Sequence, residues 1–253
     1  MNIKRIDKLI GSGAQAGVYS VDRKAIKVFK EHCPKSEAFC EAAIHSMVEE
    51  TGLPVPKIYE VIQFENKMAI VMDLVEGASM ERIVLNDLNN VSVYIDSIID
   101  LQIKINSINA FGFPSMKDRL TRRISDSSSL NNLQKEKLQV ILNSFDIGDR
   151  LCHGDFHLQN LMMTDNGMII IDWIDATSGS PEADLCRTYM LYKLYSPNGF
   201  ADMYLDIYCR KTNQSRDDIL KWLPIIAGAR LSEKNESERD HLFQWVDMNS
   251  LLG

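Results

Sequence analysis

The sequence predicts an α+β fold of two lobes, a small N-terminal lobe built on an antiparallel sheet with one main helix and a larger, mostly helical C-terminal lobe. Short runs of β-branched and aromatic residues, separated by tight-turn signals, fill residues 1–76. Apolar residues at helical spacing dominate residues 77–253. A chain of 253 residues, 45% hydrophobic and 25% charged, is long enough for one domain or two closely packed lobes. We therefore predict a lobe boundary near Glu76-Gly77.

Charge, cysteine content and hydropathy exclude several classes of function. The net charge is −7, and most of it falls in residues 77–253, which argues against a nucleic-acid partner because such a partner requires a basic face. The acidity mildly favours a cationic substrate, and ordinary solvated acidity explains it equally well. Five scattered cysteines without a Cys-x-x-Cys pair are expected to be reduced thiols. With no signal-like N-terminus and no membrane-length apolar run, we expect a cytoplasmic protein without a membrane partner. We also expect it to be a monomer.

A glycine-rich turn separates the first two of three strands expected in residues 5–30. It reads Gly11-Ser12-Gly13-Ala14-Gln15-Ala16-Gly17-Val18. The backbone amides of Gly11, Ser12 and Gly13 can cradle phosphates. Glycine-rich hairpins are common, so the turn alone is a weak signal. It is not a P-loop, which would need Gly-Lys-Ser/Thr entering a helix.

Lys27 stands alone in an apolar strand, residues 25–29. Such a lysine either extends its amine to solvent or meets an anion, and the α- and β-phosphates of ATP are suitable anions. Residues 36–50 are expected to form a helix capped by Ser36. Its apolar face is expected at Phe39, Ala43, Ile44 and Met47. Glu41 of this helix is the expected partner of Lys27, and Glu37, one turn earlier, is the alternative.

The remaining elements follow from turn signals and periodicity. The segment Leu53-Pro54-Val55-Pro56 leads into strands at 57–63 and 67–73, which a Glu65-Asn66 turn joins. Helices are expected at residues 79–85, 91–108, 120–125, 133–145, 181–195, 199–210, 216–229 and 236–251.

Residues 151–173 hold the polar side chains that most need a chemical explanation. The loop reads His153-Gly154-Asp155-Phe156-His157-Leu158-Gln159-Asn160, and Asp172 follows an apolar run. Asn166-Gly167 predicts a hairpin that pairs 162–164 with 168–172 and brings Asp172 back towards Asp155 and Asn160. Two carboxylates and an amide in one small volume are the oxygen ligands of a magnesium–phosphate site, with one acid left over to act as a base.

This loop and its spacing to Asp172-Trp173 resemble the catalytic motif of the aminoglycoside phosphotransferase and choline kinase family, a branch of the protein-kinase-like fold. The resemblance covers essentially the whole chain, and Ala16 at the third glycine position is a minor departure. It implies transfer of the γ-phosphoryl group of ATP, or GTP, to a hydroxyl of a small molecule. Asp155 is then the catalytic base, and Asn160 and Asp172 hold Mg2+.

The same resemblance implies a nucleotide site in residues 1–76. Lys27, positioned by Glu41, would grip the α- and β-phosphates beneath the glycine-rich turn. The backbone of Met72 and Asp73 lies where kinases read adenine. Asp184 is then structural and braces the catalytic loop.

Two alternatives to this interpretation are weaker. His153 and His157 flank Asp155 as metal-dependent hydrolases would require, but the other three histidines form no ligand-like cluster. Both histidines are therefore expected to support the loop. Ser180-Pro181-Glu182 follows Asp172 too closely for the peptide-docking segment of a protein kinase.

The acceptor is predicted to be an aminoglycoside-like or other cationic compound, with Asp175 and Glu233 as candidate contacts. A choline, amino-alcohol or sugar kinase of the same fold is the alternative. A nucleotide-binding pseudokinase or antibiotic-binding module without turnover also stays open.

Overall fold

A computed structural model of the chain describes residues 8–13 and 15–247. Their strands are β1 Lys8–Ser12, β2 Ala16–Val21, β3 Lys24–Phe29, β4 Ile58–Phe64, β5 Lys67–Asp73, β6 Ala78–Ser79, β7 Arg150–Cys152, β8 Leu161–Thr164, β9 Gly167–Ile170 and β10 Thr177–Gly179. Their α-helices are α1 Lys35–Glu49, α2 Met80–Asn86, α3 Val91–Asn106, α4 Met116–Asp126, α5 Asn132–Ser144, α6 Pro181–Tyr195, α7 Phe200–Thr212, α8 Arg216–Leu220, α9 Leu223–Arg230 and α10 Arg239–Asp247. No helix in the described ranges is long and apolar enough to cross a membrane.

Contacts between residues divide the chain into two compact units. The first comprises Met1–Asn86 and Leu158–Ile174, and the second comprises Asp87–His157 and Asp175–Gly253. The hairpin β8–β9 therefore groups with the N-terminal elements, although it follows most of the helices in sequence.

The first unit contains a five-stranded antiparallel sheet in the order β1-β2-β3-β5-β4. Two tight turns join β2 to β3 and β4 to β5. Asp22 and Arg23 have φ of 45° and 63°, and Glu65 and Asn66 have φ of 46° and 64°. Positive φ at both central residues is typical of the type I′ turn, which suits the twist of a hairpin. The expected strands, apart from residues 5–7, which lie outside the described residues, and the Glu65-Asn66 turn are confirmed.

Helix α1 buries a face that shares only Ile44 with the one predicted. It begins at Lys35 after Pro34, so Ser36 lies inside the helix and is not its cap. Phe39 is 48% exposed. The buried residues are Ala38, Glu41, Ile44, His45 and Val48. Two of them are polar, and His45 Nε2 lies 2.6 Å from the carbonyl oxygen of Pro56, which explains why an apolar pattern alone selects the wrong face.

The hairpin β8–β9 also differs in detail from the prediction. Thr164 pairs with Gly167, so Asp165-Asn166 form the centre of the turn and not Asn166-Gly167. Strand β9 ends at Ile170, which leaves Asp172 beyond the sheet. Strand β8 also pairs with β6. A Cβ atom on Gly77 would lie 2.1 Å from the Met163 carbonyl oxygen, so only glycine permits this approach.

The second unit is mostly helical, with β7 and β10 as a small antiparallel pair. Helix α4 begins at Met116, earlier than predicted, because Ser115 caps it by accepting from the Asp118 N–H. The single helix predicted over 216–229 is divided into α8 and α9. The helix predicted over 236–251 is a 3-10 turn at Glu236–Glu238 followed by α10, and its last residues lie outside the described ranges. Helix α6 spans the predicted residues.

Candidate active site

Lys27 of β3 and Glu41 of α1 form an ion pair in the first unit. Lys27 Nζ lies 2.6 Å from Glu41 Oε1. Glu41 is 5% exposed, because it belongs to the face of α1 that packs on the sheet. The structure therefore selects Glu41 and not Glu37 as the partner. A buried carboxylate in this position fixes the direction of the lysine side chain.

Asp172 is the second acidic neighbour of Lys27. Lys27 Nζ lies 3.2 Å from Asp172 Oδ1. Burial alone would lower the pKa of Lys27, but the charges of Asp172 and Glu41 outweigh it and raise that pKa above its ordinary value. The amine therefore carries a full positive charge at neutral pH. Three of the predicted site residues are thus brought together by β3, α1 and the segment after β9.

The backbone holds Asp172 and Asn160 on linked segments. Asn160 is buried in the short turn Leu158–Asn160, and its carbonyl oxygen accepts from the Ile171 N–H at 3.0 Å. Asp172 has φ of 62°, a left-handed conformation that aspartate tolerates better than most residues. The next residue, Trp173, is fully buried, and its indole N–H donates to the Ile170 carbonyl. The buried side chain of Trp173 therefore fixes the backbone next to Asp172, while the Asp172 side chain itself is 42% exposed.

The glycine-rich turn closes on itself and on β3. The Gly13 N–H donates to the Ala16 carbonyl at 2.9 Å, and the Lys30 N–H donates to the Gln15 carbonyl at 2.8 Å. Gly11 and Ser12 pair with β2, after a register irregularity between Leu9 and Gly11. Ala14 lies outside the described residues. The Gly13 amide is therefore already used within the hairpin.

The end of β5 holds the two residues predicted to meet a base. The Asp73 N–H donates to the Lys57 carbonyl at 2.9 Å. Its carboxylate accepts from the Lys57 N–H at 3.0 Å and from the Tyr59 hydroxyl at 2.6 Å. Met72 packs its side chain against the core of the sheet. The Asp73 N–H is therefore occupied by the sheet and cannot donate to a base without leaving it.

Asp155 lies in the second unit, where its two carboxylate oxygens have different donors. Arg187 Nη2 of α6 lies 3.0 Å from Oδ1, and His157 Nε2 lies 3.2 Å from Oδ2. Burial would raise the pKa of Asp155, but the His157 hydrogen bond and the Arg187 charge outweigh it and hold that pKa well below its usual range. Asp155 is therefore a carboxylate throughout the physiological pH range.

The rest of the loop is fixed from behind by Asp184. Its carboxylate accepts from the Gly154 N–H at 2.8 Å and from the His153 N–H at 3.3 Å. Asp184 is 2% exposed and also contacts Gln102 and Asn106. The Asp155 N–H donates to His153 Nδ1 at 3.2 Å. Asp184 thus supports the loop as the resemblance implied, and so do His153 and His157.

Gly154 allows the loop to pass close to the segment after β9. Its φ is 79°, and a Cβ atom there would lie 2.3 Å from the Asp175 carbonyl oxygen. A side chain at residue 154 is therefore excluded by both conformation and space. The glycine of the His-Gly-Asp sequence is a structural requirement for placing Asp155.

Three arginines near Asp155 were not recognised from the sequence. Arg119 and Arg123 of α4 lie 2.7 and 2.8 Å from Asp175 Oδ1. Arg187 contacts Glu233 at 3.4 Å as well as Asp155. Burial would raise the pKa of Asp175, but these three guanidinium groups lower it. The sequence feature that could have indicated them is the spacing of Arg119 and Arg123, which places both side chains on one face of one helix.

Asp175 and Glu233, which were predicted to contact the acceptor, therefore belong to an ion-pair network. Asp175 binds Arg119 and Arg123, and Glu233 contacts Arg123 at 3.2 Å. Arg119, Arg123, Arg187 and Asp175 line a narrow cavity of about 40 Å³. A space of this size holds one small group or a few water molecules.

Comparisons with known proteins agree with this geometry. The family model described as the phosphotransferase enzyme family, APH, matches residues 8–220. No curated protein matches the chain. A ternary complex of a thermostable mutant of aminoglycoside phosphotransferase APH(4)-Ia with AMP-PNP and hygromycin B is 12% identical, with a TM-score of 0.70 over 94% of this chain and 89% of that one.

Two further solved structures share the fold. Choline kinase LicA from Streptococcus pneumoniae is 14% identical, with a TM-score of 0.68 over 96% of this chain and 92% of that one. Amicoumacin kinase hAmiN, in complex with AMP-PNP, Ca2+ and Ami, is 12% identical, with a TM-score of 0.63 over 94% of this chain and 86% of that one. The predicted kinase-like fold, with its N-terminal antiparallel sheet and larger helical part, is confirmed. The family model spans most of the length of this chain, and the predicted enzyme class agrees with that family. The chain therefore belongs to the phosphotransferase enzyme family.

Proposed function

We propose that this phosphotransferase moves the γ-phosphoryl group of ATP, or GTP, to a hydroxyl of a small molecule. The observation that supports the proposal most directly is the arrangement of Lys27 between Glu41, at 2.6 Å, and Asp172, at 3.2 Å. A lysine held by a glutamate beside a metal-binding aspartate is the phosphate-binding arrangement of kinases. A metal-dependent hydrolase would leave the Lys27–Glu41 pair without a role.

In the proposed reaction, residues 1–76 form the nucleotide-binding lobe and residues 77–253 carry the catalytic loop and acceptor site. Lys27 binds the α- and β-phosphates, since its amine is charged and its ion pair with Glu41 keeps it in place. Gly11, Ser12 and Gly13 are the proposed cover of the phosphates, and the Gly13 N–H must exchange its bond to the Ala16 carbonyl for one to the nucleotide. Met72 and Asp73, at the end of β5, are the proposed backbone contacts of the base, and the Asp73 N–H must leave the Lys57 carbonyl to take part.

Asn160 and Asp172 are the proposed metal ligands. An amide oxygen and a partly exposed carboxylate suit Mg2+, which takes oxygen ligands and completes its shell with phosphates and water. When bound, the ion neutralises charge on the transferring phosphoryl group. The names of the similar structures, which include AMP-PNP and Ca2+, support a nucleotide and a divalent cation here.

Asp155 is the proposed catalytic base. Because Arg187 and His157 stabilise its ionised form, Asp155 is a weak base towards an unreacted alcohol. We therefore assign it first to orienting the acceptor hydroxyl, and then to accepting the proton late, once bonding to phosphorus has made the hydroxyl acidic.

For the acceptor, we propose the cationic, aminoglycoside-like class, with choline, amino alcohols and sugars as the alternatives. The names of the similar structures, which include hygromycin B and choline kinase, support this range. Asp175 and Glu233, its proposed contacts, are each shared with arginines. An acceptor ammonium group at these positions must therefore compete with guanidinium groups already present.

The test is ADP release from MgATP and MgGTP, with and without aminoglycosides, choline, amino alcohols and sugars. We expect one chemical class to stimulate release, and the Asp155→Asn variant to lower the stimulated rate about a thousandfold. Nucleotide binding by calorimetry without turnover on any acceptor would instead identify a nucleotide-binding module. That result would contradict the proposal.

A further inference from the structure

We propose that Arg187 is a positioning residue of the phosphotransfer reaction, which holds the Asp155 carboxylate in one orientation. The proposal rests on the proposed function, since it depends on the role of Asp155. Arg187 Nη2 donates to Asp155 Oδ1 at 3.0 Å, while His157 Nε2 lies 3.2 Å from Oδ2. Because each oxygen has its own donor, the carboxylate cannot rotate without breaking a charge-assisted hydrogen bond.

Arg187 is itself rigidly placed. It is 7% exposed, and its Nη2 also lies 3.4 Å from Glu233 and 4.0 Å from Asp175. Its position on α6, one turn after Asp184, links it to the residue that holds the loop backbone. Helix α6 therefore fixes both the main chain of the loop, through Asp184, and the reactive side chain, through Arg187.

One donor of Arg187 remains unused. Its Nε is buried and has no hydrogen-bond partner among the described residues. A buried donor of this kind costs free energy. The guanidinium group is therefore oriented for its contacts through Nη2 and not for complete hydrogen bonding of its own atoms. Local costs of this type concentrate at functional sites.

The charges around Arg187 determine how its removal would change the pKa of Asp155. Those that face Arg187 from neighbouring segments are Asp155, Asp175, Glu233, Glu238, Arg119, Arg123 and Arg230. Asp155 also faces His153 and His157 of its own loop. Without the Arg187 charge, burial of Asp155 is opposed mainly by these histidines, so the pKa of Asp155 rises. The carboxylate also loses the donor to Oδ1.

The first experiment is a double-mutant cycle on kcat with the acceptor that stimulates ADP release. We expect Arg187→Met to lower kcat about a hundredfold, because misplacement of a reacting group by about 1 Å has this effect. In the Asp155→Asn background the same change should lower kcat less than about threefold, since Arg187 then has no carboxylate to hold. Equal losses in both backgrounds would overturn the proposal.

The second experiment needs no acceptor. The carboxyl 13C resonance of Asp155, assigned by its loss in Asp155→Asn, is titrated in the wild type and in Arg187→Met. We expect the titration to shift to higher pH in the variant, with partial return in Arg187→Lys, which keeps the charge. Should Arg187→Met fail to fold, Arg187→Lys and Glu233→Gln are titrated in its place. An Asp155 resonance that titrates identically in all folded variants would contradict the proposal.

Arg122→Met is the matched control, since Arg122 lies on α4 beside Arg123 but is exposed. It should change neither kcat nor the Asp155 titration. If no acceptor is phosphorylated, the proposed function fails while the titration still decides whether Arg187 holds Asp155. If phosphoryl transfer occurs and Arg187→Met lowers kcat by the same factor in the wild type and in Asp155→Asn, only the role proposed for Arg187 fails.

Discussion

Asp155 is an acid whose surroundings stabilise its charge at the expense of its basicity. Burial opposes the ionised form, yet His157 and Arg187 hold the pKa of Asp155 well below its ordinary value. A carboxylate of this kind removes protons poorly from alcohols but accepts a directed hydrogen bond well. In the proposed reaction its contribution to the rate is therefore alignment of the hydroxyl, followed by late proton transfer. The same partners keep it ionised in acid, where an ordinary aspartate would titrate.

Replacement of Asp155 tests this role directly. We expect Asp155→Asn to lower kcat about a thousandfold, a usual cost for a general acid or base, with nucleotide affinity little changed. The measurement is steady-state ADP release with calorimetry of AMP-PNP binding. Asp165→Asn, the same change at the exposed centre of the β8–β9 turn, is the control and should retain full activity. A kcat within tenfold of wild type for Asp155→Asn would refute the assignment.

Glu41 offers a test of the nucleotide site with a control on the same helix. Glu41→Gln removes the charge that fixes Lys27, so we expect the KM for MgATP to rise about tenfold, with Asp172 as the remaining acidic neighbour of Lys27. Glu37→Gln, one turn earlier on α1, should leave KM unchanged. Steady-state ADP release at varied MgATP measures KM, and calorimetry of AMP-PNP binding shows whether the change lies in affinity. Equal effects of the two variants would show that Lys27 does not depend on Glu41.

At the scale of elements, sequence patterns predicted the strands well because their signals are local. The tight turns and alternating residues of β2 to β5 fix both position and register. The predicted buried face of α1 was wrong except at Ile44, because that helix buries Glu41 and His45, whose partners lie elsewhere in the chain. Equally, no local pattern shows that Arg187 of α6 reaches Asp155. Contacts distant in sequence therefore determine what the sequence alone could not predict.

The loop before β8 depends on a glycine that can be tested by a matched pair. Gly154 and Gly199 have φ of 79° and 84°, but only at Gly154 would an added methyl carbon meet backbone, 2.3 Å from the Asp175 carbonyl oxygen. Gly199→Ala should destabilise the protein by about 1 kcal/mol, the cost of the left-handed conformation alone. Gly154→Ala should cost about 3 kcal/mol or more and abolish activity. Urea unfolding and kcat measure both effects, and equal stability of the two variants would contradict the steric argument.

At the scale of the whole molecule, neither compact unit is a continuous stretch of chain. The motif that was predicted to be catalytic is itself divided, with Asp155 in the second unit and Asn160 and Asp172 in the first. Within the first unit, β8 pairs with β6, and the Ile170 N–H donates to the Pro54 carbonyl at 2.8 Å. A fragment that ends near residue 86 lacks these partners. Strand β6 and the segment at Pro54 therefore depend on residues that come much later in the sequence.

Partly buried ion pairs such as those of Asp175 make the stability of the chain dependent on pH. The pKa of Asp175 is depressed by Arg123, Arg187 and Arg119, although burial opposes the shift. A carboxyl with a lower pKa in the folded state than in the unfolded state, where it is about 3.9, stabilises the fold above that unfolded value. This contribution is lost as the pH falls through the folded pKa. Stability should therefore decline in acid, below about pH 4.

Asp175→Asn isolates this contribution. At pH 7 the variant should lose about 3 kcal/mol of unfolding free energy, because three arginines keep their charge without the carboxylate that joins them. The loss should shrink as the pH falls below about 4, since the wild-type carboxyl then approaches protonation as well. Urea unfolding from pH 3 to pH 8 measures the difference, with Asp165→Asn as an exposed control. A difference that stays constant across this range would mean that the charge of Asp175 does not stabilise the arginine network.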